Sequence, residues 1–281
     1  MKRAKRTIII LSLALASCRG PMTHPLATIT PQTMHLRLLA TTSTAPLLQD
    51  FIAAYKQPGI LLAVEWAAVE WPAIRERLLA GDAHFALTTT LSPDLGWWAA
   101  PVGQDGIAII VHASNDLPQI TLDDLRLIFA GQVTTWADLG GPDAPIIVVS
   151  REDGADTRLT FEALVMRQQP VTSAARLALS SRTMAEIVAE TPGAVGYVSM
   201  AFLAQDHRAR AIPVASRAGE TAFLPTPDTV SAGEYPLRVP ILVVGPAPPP
   251  DDSFYRDWFA WMQSDEGQAI AGRRYGVAHF R

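Results

Sequence analysis

The pattern of apolar and polar residues along the chain predicts strands and helices that alternate. Short apolar runs bounded by turn residues predict strands over 36–41, 60–66, 85–88, 106–112, 146–150, 194–198 and 238–244. Between them, apolar residues at helical spacing predict helices over 47–55, 73–80, 122–129, 157–167, 183–192 and 252–263. Alternation of this kind indicates an α/β fold.

Several residues mark the ends of these elements. Gly81 is placed to end the second helix, and Thr121 is placed to begin the third. The spacing Thr183-x-x-Glu186 predicts a capping box at the start of the fifth helix. His84 and His112 are expected to end strands or to line a cleft, because no other histidine stands at metal-ligand spacing from them.

The first 18 residues have the composition of a targeting segment. A basic stretch, Met1–Arg6, precedes an apolar run, Thr7–Leu15, that is too short to span a bilayer. Leu15-Ala16-Ser17-Cys18 resembles a bacterial lipobox, which implies a signal peptide over 1–17 and lipidation of Cys18. A plain secretory signal with an incidental cysteine is the alternative. Residues 18–34 are rich in proline and predict a semi-extended, lipidated tether.

Composition and charge exclude several classes of protein. The formal net charge of the 281 residues is −4, and the segment after residue 17, which lacks the four basic residues of the targeting segment, is more acidic still. Such an acidic body argues against nucleic-acid binding. One cysteine excludes an internal disulfide framework and multi-cysteine metal sites. The chain has no G-x-S-x-G, H-E-x-x-H, G-x-G-x-x-G or P-loop motif, so we expect no enzyme activity, no metal and no cofactor.

Two loops have the composition of anion sites, and each has a simpler explanation. Thr41–Pro46 places hydroxyl side chains between a strand and a helix start, where free backbone amides attract anions; simple N-capping is the alternative. Ser150–Thr157 does the same and adds Arg151, which offers planar bidentate donors. Internal pairing of Arg151 with a neighbouring carboxylate is the alternative for the second loop.

The residues around the second loop resemble one known family. Ile128–Gly141 reads IFAGQVTTWADLGG and is similar to a segment of the substrate-binding proteins of phosphate ABC importers. Arg151–Thr157 resembles the R-x-x-G-S-G-T ligand loop of that family. Further similar segments follow in the family's order: PGAVGYVS at 192–199, YPLRVP at 235–240 and SDEGQ at 264–268.

This resemblance implies a fold and a function. The fold is an α/β, two-lobed periplasmic binding protein of type II, in which each lobe is a mixed sheet flanked by helices and crossover strands join the lobes. We expect lobe I over 35–112 and 213–281 and lobe II over 113–212. The function implied is extracytoplasmic, lipid-anchored capture of inorganic phosphate or a similar oxyanion in an inter-lobe cleft. The partners implied are ABC permease subunits, with the binding protein a monomer.

The ligand positions of the family are only partly matched. Ser43 and Thr44 match in the first loop, and Arg151, Gly154 and Thr157 match in the second. Departures are Glu70 within Val69-Glu-Trp-Pro72, Thr89 where the acidic ligand is expected, and Ala155-Asp156 in the second loop. The candidate ligand-binding residues are therefore Ser43, Thr44, Ala45, Glu70, Thr89, Arg151, Ala155, Asp156 and Thr157.

The departures leave two outcomes open. A new carboxylate, Glu70 or Asp156, can accept the proton of a hydrogen oxyanion and replace the acidic ligand that is lost. Alternatively, Asp156 pairs with Arg151 and abolishes oxyanion binding. Trp66 and Trp71 would then either line a pocket for an organic ligand or belong to the core. The second outcome predicts a diverged binding or sensor lipoprotein on the same fold.

Overall fold

The structure, a computed structural model, describes residues 32–204 and 208–278. The signal peptide predicted over 1–17, Cys18 and most of the predicted tether lie outside the described residues. None of the helices in the described part of the chain is both long enough and apolar enough to cross a bilayer.

The described residues form strands and helices in mixed order. The strands are β1 Gln32–Ala40, β2 Ile60–Ala68, β3 Phe85–Thr88, β4 Trp98–Val111, β5 Ile120–Thr121, β6 Ile147–Arg151, β7 Arg176–Ala178, β8 Ala194–Ser199, β9 Arg210–Ala211, β10 Val214–Ala215 and β11 Arg238–Gly245. The helices are α1 Ala45–Ala54, α2 Trp71–Ala80, α3 Leu122–Phe129, α4 Asp156–Phe161, α5 Ser181–Glu190, α6 Met200–Leu203, α7 Pro227–Ser231, α8 Phe254–Gln263 and α9 Asp265–Ala271. A π-helical turn, Glu162–Met166, continues α4.

Most of the predicted elements are confirmed, with three differences at their ends. Gly81 ends α2 in the left-handed conformation, as predicted. The capping box predicted at Thr183 is wrong, because the N-cap of α5 is Ser180, whose side chain accepts a hydrogen bond from the Thr183 amide. Strand β4 begins eight residues before its predicted start. Strand β1 begins at Gln32, so residues 32–34, which were predicted as tether, belong to a strand.

One mixed sheet is built around β11. Strands β2, β1 and β3 are parallel neighbours, and β11 lies antiparallel between β3 and the first half of β4. Apolar side chains of α1, α8 and α9 pack on one face of this sheet, and those of α2 pack on the other. We call these buried clusters together the first core.

Strand β4 continues into a second group of strands. Its residues 98–106 pair with β11, and its residues 107–111 pair antiparallel with β8. Beyond β8 lie the parallel strands β6 and β7. Side chains of α3, α4 and α5 pack on this part of the sheet to form the second core. The order of the whole sheet is β2-β1-β3-β11-β4-β8-β6-β7.

The mixed sheet with helices packed on it confirms the predicted α/β fold class. The two cores divide the chain at different residues from the sequence-based lobes. Residues 107–111 of β4 belong to the second core, and so do Val214, Val230 and Leu237 from the segment expected in lobe I. The chain returns to the first core in β11.

Candidate functional site

Arg151 lies at the end of β6 and faces the loop before α2. Its side chain is 2% exposed. The guanidinium donates to both carboxylate oxygens of Glu152, from Nε at 2.9 Å and from Nη2 at 2.8 Å, and Nη2 also lies 3.3 Å from Oε1 of Glu70. The Tyr197 hydroxyl accepts a hydrogen bond from the Arg151 amide at 3.3 Å and contacts Ser150 Oγ at 2.9 Å. Arg151 is therefore held on both its backbone and its side chain.

The Glu70 carboxylate joins the loop after β1 to the loop after β6. Thr42 Oγ1 donates to Glu70 Oε1 at 2.8 Å, and the backbone amide of Asp156 donates to Glu70 Oε2 at 3.0 Å. Burial raises the pKa of Glu70, and the negative charge of Asp156 raises it further, while the amide of Asp156, Thr42 and Arg151 act in the opposite direction. Burial and the charge of Asp156 together outweigh these donors in setting the pKa of Glu70.

The Asp156 side chain is fully buried beside the first loop. Ser43 Oγ donates to Asp156 Oδ2, and the amide of Thr157 donates to Asp156 Oδ1 at 2.8 Å. The Tyr275 hydroxyl donates to the Ser43 carbonyl at 2.6 Å and so holds the first loop in place. Thr157 Oγ1 is buried and has no hydrogen-bond partner among the described residues. The described residues therefore leave this buried hydroxyl without a hydrogen bond.

The remaining candidate residues make contacts within the protein. Thr44 Oγ1 donates to the Leu87 carbonyl at 2.9 Å, and the amide of Ala45 donates to the Thr41 carbonyl at 2.9 Å. Thr89 Oγ1 lies 3.0 Å from Thr160 Oγ1 of α4. Ala155 is the buried N-cap of α4. These four residues shape the two loops around the polar cluster.

The geometry bears on the alternatives that the sequence left open. Thr44 is the N-cap of α1, but its side chain makes no capping hydrogen bond. Arg151 does pair internally, with Glu152 and also with Glu70. The pair expected between Arg151 and Asp156 is absent among the described contacts, because Asp156 accepts from Ser43 and the Thr157 amide. Trp71 is buried in the first core against Trp97, and Trp66 packs on the other face of the same sheet.

A cavity of about 280 Å³ adjoins the polar cluster. On one side it is bounded by Thr42, Ser43, Glu70 and Arg151, and on the other by the start of α5. The start of α5 contributes Leu179, Ser180, Ser181 and Arg182, and the other lining residues are Pro46, Ser199 and Phe202. Leu179 is 67% exposed, so this wall presents apolar surface to solvent.

Sequence reasoning missed several residues that position the site. Tyr197 and Ser199 lie in the PGAVGYVS segment that resembles the family, but nothing in that segment shows what their hydroxyls contact. Asp105 immediately precedes the apolar run that was predicted as a strand. Its fully buried carboxyl accepts a hydrogen bond from Ser199 Oγ at 2.9 Å. The longer strand β4 is what places Asp105 in the interior.

The acidic side chains of the site do not form a metal-binding group. No group of three or more histidine, cysteine, aspartate or glutamate side chains in this part of the chain comes together to hold an ion. Glu70 and Asp156 instead accept hydrogen bonds from hydroxyl and amide donors. The cation in contact with Glu70 is the guanidinium of Arg151, which Glu152 also binds.

A mixed sheet shared by two cores, with polar loops meeting between them, defines a binding-protein class of fold. The family model described as "PBP superfamily domain" matches residues 26–266. The chain therefore belongs to the PBP superfamily. Its sequence and its structure are similar to those of named phosphate-binding relatives.

Two curated relatives share the name "Phosphate-binding protein PstS". The protein of Bacillus subtilis is 32% identical over 133 residues, which are 47% of this chain and 41% of that protein. The protein of Borreliella burgdorferi is 21% identical over 178 residues, 59% of this chain and 60% of that protein. The chain thus matches about half the length of these relatives.

Two solved structures are similar over most of the chain. A putative phosphate ABC transporter substrate-binding protein from Clostridium perfringens, with bound phosphate, is 24% identical, covers 88% of this chain and 100% of its own, and has a TM-score of 0.73. An ABC-type phosphate transport receptor from Vibrio cholerae is 25% identical, with coverages of 86% and 100% and a TM-score of 0.68. The relatives are named as binding and transport proteins, and their fold is the fold of this chain.

Proposed function

We propose that the protein is a solute-binding protein that captures phosphate or a related oxyanion for an ABC importer. The observation that carries the proposal is the meeting of two loops, each between a strand and a helix start, at the buried guanidinium of Arg151. Helix N-termini, hydroxyls and a guanidinium are the donors that bind oxyanions. The names of the Bacillus and Vibrio relatives support the same solute.

Within the site, the residues would have different roles. Arg151, Ser43 and Thr157 would donate to the oxyanion, Thr157 through the hydroxyl that has no partner among the described residues. Asp156 would accept the proton of a hydrogen oxyanion, since its carboxylate already lies between Ser43 and the Thr157 amide. Thr44, Ala45, Thr89 and Ala155 would hold the loops in position through the contacts described above. Glu70 belongs to the same site through its contacts with Thr42, Asp156 and Arg151.

The two cores would act as the two lobes of a hinged binding protein. We place the lobe boundaries where β4 passes from β11 to β8 and where the chain enters β11. The polar cluster and the adjoining cavity would then form the inter-lobe cleft, with closure around the solute. Contacts such as Thr89 with Thr160 join residues on opposite sides of this division.

The location and partners follow from the sequence and the family. The lipobox-like Leu15–Cys18 supports lipidation of Cys18 after removal of 1–17. Acyl chains on Cys18 would anchor the protein outside the cytoplasmic membrane, where the monomer would deliver its solute to ABC permease subunits. Labelling of cells with radioactive palmitate, with the Cys18→Ser variant as control, tests the anchor. Equal labelling of the two proteins would contradict it.

The solute itself is tested by titration calorimetry of the purified full-length protein with phosphate, arsenate, sulfate and phosphonates. We expect binding of phosphate and arsenate and weaker binding of sulfate, which has no proton to donate to Asp156 at neutral pH. Arg151→Ala should bind no member of the panel. Its matched control is Arg256→Ala, which removes an exposed guanidinium far along the chain from the site. If the wild type binds no member of the panel, the proposal is wrong.

A second candidate is a diverged binding or sensor lipoprotein for an organic anion. The apolar wall of the cavity, formed by Pro46, Leu179 and Phe202, favours it, because inorganic phosphate has no surface to bury there. Phosphonates with alkyl groups of increasing length distinguish the two candidates. Affinity that rises with alkyl length, and falls back in Leu179→Ser, would support the organic ligand; affinity that falls with length would support the inorganic one.

A further inference from the structure

Glu70 occupies the donors that an oxyanion would need. Its carboxylate accepts from a hydroxyl, Thr42 at 2.8 Å, from a backbone amide at the start of α4, Asp156 at 3.0 Å, and lies 3.3 Å from the Arg151 guanidinium. A hydroxyl, a backbone amide and a guanidinium are the donor types that bind oxyanions. The carboxylate thus makes the contacts of a bound anion while remaining part of the chain.

The loop that carries Glu70 is held firmly against both halves of the site. The amide of Val69 donates to the Ala40 carbonyl at the end of β1, at 2.9 Å. On the other side, Pro72 lies so close to Gly154 that a Cβ added there would be 2.7 Å from Pro72 Cγ. An anion fixed on such a loop loses little entropy when it binds, so it competes strongly with a free solute.

The Glu70 carboxylate is not required by its own helix. Glu70 is the N-cap residue of α2, but its side chain makes no capping hydrogen bond to that helix. Its partners are instead the two anion loops. The side chain can therefore be changed without removing a cap from α2.

The charges facing Glu70 make simultaneous binding of a second anion unfavourable. Arg151 is the cation in contact with Glu70, and Glu152 already binds the same guanidinium through two hydrogen bonds. Asp156 adds a negative charge next to Glu70, while Arg182 contributes a positive charge at the far side of the cavity. A dianion added beside these three carboxylates in a partly buried site meets repulsion.

We propose that Glu70 is an internal competitor for the anion site: its carboxylate holds the donors of Thr42, Arg151 and Asp156 until a solute displaces it, and this competition sets the affinity for oxyanions. The inference rests on the proposed function. Neutralising Glu70, by substitution or by protonation, is then expected to strengthen binding. Because burial raises the pKa of Glu70, the wild type should gain affinity as the pH falls.

The test compares the full-length wild type with Glu70→Gln, Glu70→Ala and the control Glu76→Gln, which changes an exposed carboxylate on the same helix. Phosphate is titrated by calorimetry at pH 7.5 and 5.5. We expect both Glu70 variants to bind phosphate at least about tenfold more tightly than the wild type and the control at pH 7.5, with a smaller gap at pH 5.5. Phosphate itself changes ionisation between the two pH values, and this affects every protein equally. The ratio of the wild-type affinity to the Glu70→Gln affinity therefore reports on Glu70 alone.

A second measurement follows the contact without any ligand. Hydrogen–deuterium exchange of the peptide that contains Asp156 reports on the amide that donates to Glu70. Faster exchange in Glu70→Ala than in Glu76→Gln supports the inference, and unchanged exchange in Glu70→Ala overturns it; Glu70→Gln keeps an amide oxygen that can still accept. If Glu70→Ala does not fold, the phosphate affinity of Glu70→Gln still decides.

The outcomes separate this inference from the proposed function. Equal phosphate affinity in the wild type and the Glu70 variants overturns the competitor and leaves the proposed function intact. Weaker binding in the variants also overturns it, because Glu70 would then be a direct ligand. Absence of phosphate binding in every protein overturns both, whatever the exchange rates show.

Discussion

Ser199 Oγ donates a hydrogen bond to Asp105 Oδ1 over 2.9 Å, at the place where β4 leaves one set of strands for the other. The second oxygen, Oδ2, is buried without a hydrogen-bond partner among the described residues. Burial raises the pKa of Asp105 to about 7; the hydrogen bond from Ser199 opposes this, and the charge of Asp156 adds to it. Asp105 is therefore a carboxyl that changes charge near neutral pH in the middle of the protein.

We predict that Asp105 makes the protein less stable as the pH rises from about 4 to 7. A folded-state pKa above the unfolded value means that the folded protein binds the extra proton in this interval, so stability falls with increasing pH. The limit for the effect is roughly 4 kcal/mol, since each unit of pKa corresponds to about 1.4 kcal/mol. Urea unfolding at pH 5 and pH 8 measures it. The difference in unfolding free energy between the two pH values should shrink in Asp105→Asn but not in Asp143→Asn, which changes an exposed carboxylate. The same difference in all three proteins contradicts the prediction.

Thr157→Val should separate stability from binding. The Thr157 hydroxyl is buried without a partner among the described residues, so its removal should leave the ligand-free stability unchanged or raise it by about 1 kcal/mol. Phosphate affinity should fall about tenfold, because one donor to the oxyanion is lost. Thermal unfolding and calorimetry measure the two effects. Thr160→Val is the control: its hydroxyl contacts Thr89, so this variant should lose stability. Unchanged phosphate affinity in Thr157→Val would remove Thr157 from the site.

Gly154→Ala should disturb the contact between the second loop and the loop before α2. Gly154 has φ +83°, and the new Cβ would lie 2.7 Å from Pro72 Cγ. Gly140 provides a matched control, since it has φ +78° with no atom within 4 Å of an added Cβ. Both alanine variants should lose about 1 kcal/mol to backbone strain, and Gly154→Ala should lose more. Equal losses, measured by urea unfolding, would show that the loop moves away from Pro72 without cost.

Arg151→Ala should abolish phosphate binding and also destabilise the fold. The guanidinium is 2% exposed and neutralises Glu152 and Glu70, which would be left without their cation. Because these two carboxylates are partly exposed, we expect a loss of about 1–3 kcal/mol. Adding Glu70→Gln to Arg151→Ala should recover part of the loss. Additive losses in this double-mutant cycle would show that the two side chains are not coupled.

The fold could be predicted well wherever the apolar pattern was regular. The seven predicted strands and six predicted helices all have counterparts, because their apolar residues follow the period of the element they form. The first half of β4 was missed, since Pro101 and Gly103 interrupt its pattern and Trp98–Pro101 are only half-buried. The cap of α5 was misassigned because Ser180 and Thr183 are both good caps, and only the backbone decides between them.

The candidate site was predictable in its parts and not in its contacts. Strand-end to helix-start loops with hydroxyls indicated where anion donors would be, and Arg151, Ser43 and Asp156 do meet there. The contacts of Glu70 with Thr42 and Asp156 depend on how the two halves of the sheet are placed. No local pattern records that placement, because the residues are far apart in sequence.

The position of β11 has a consequence for how the chain is made. Strand β11 lies between β3 and β4, yet it is the last strand to be synthesised. Until residue 245 has emerged, no strand lies between β3 and β4, and the aromatic residues of α8 are also missing from the first core. The last buried residue of the second core along the chain is Leu237, whereas the first core also needs α8, α9 and Tyr275. The half that begins the polypeptide is therefore the half that finishes folding last.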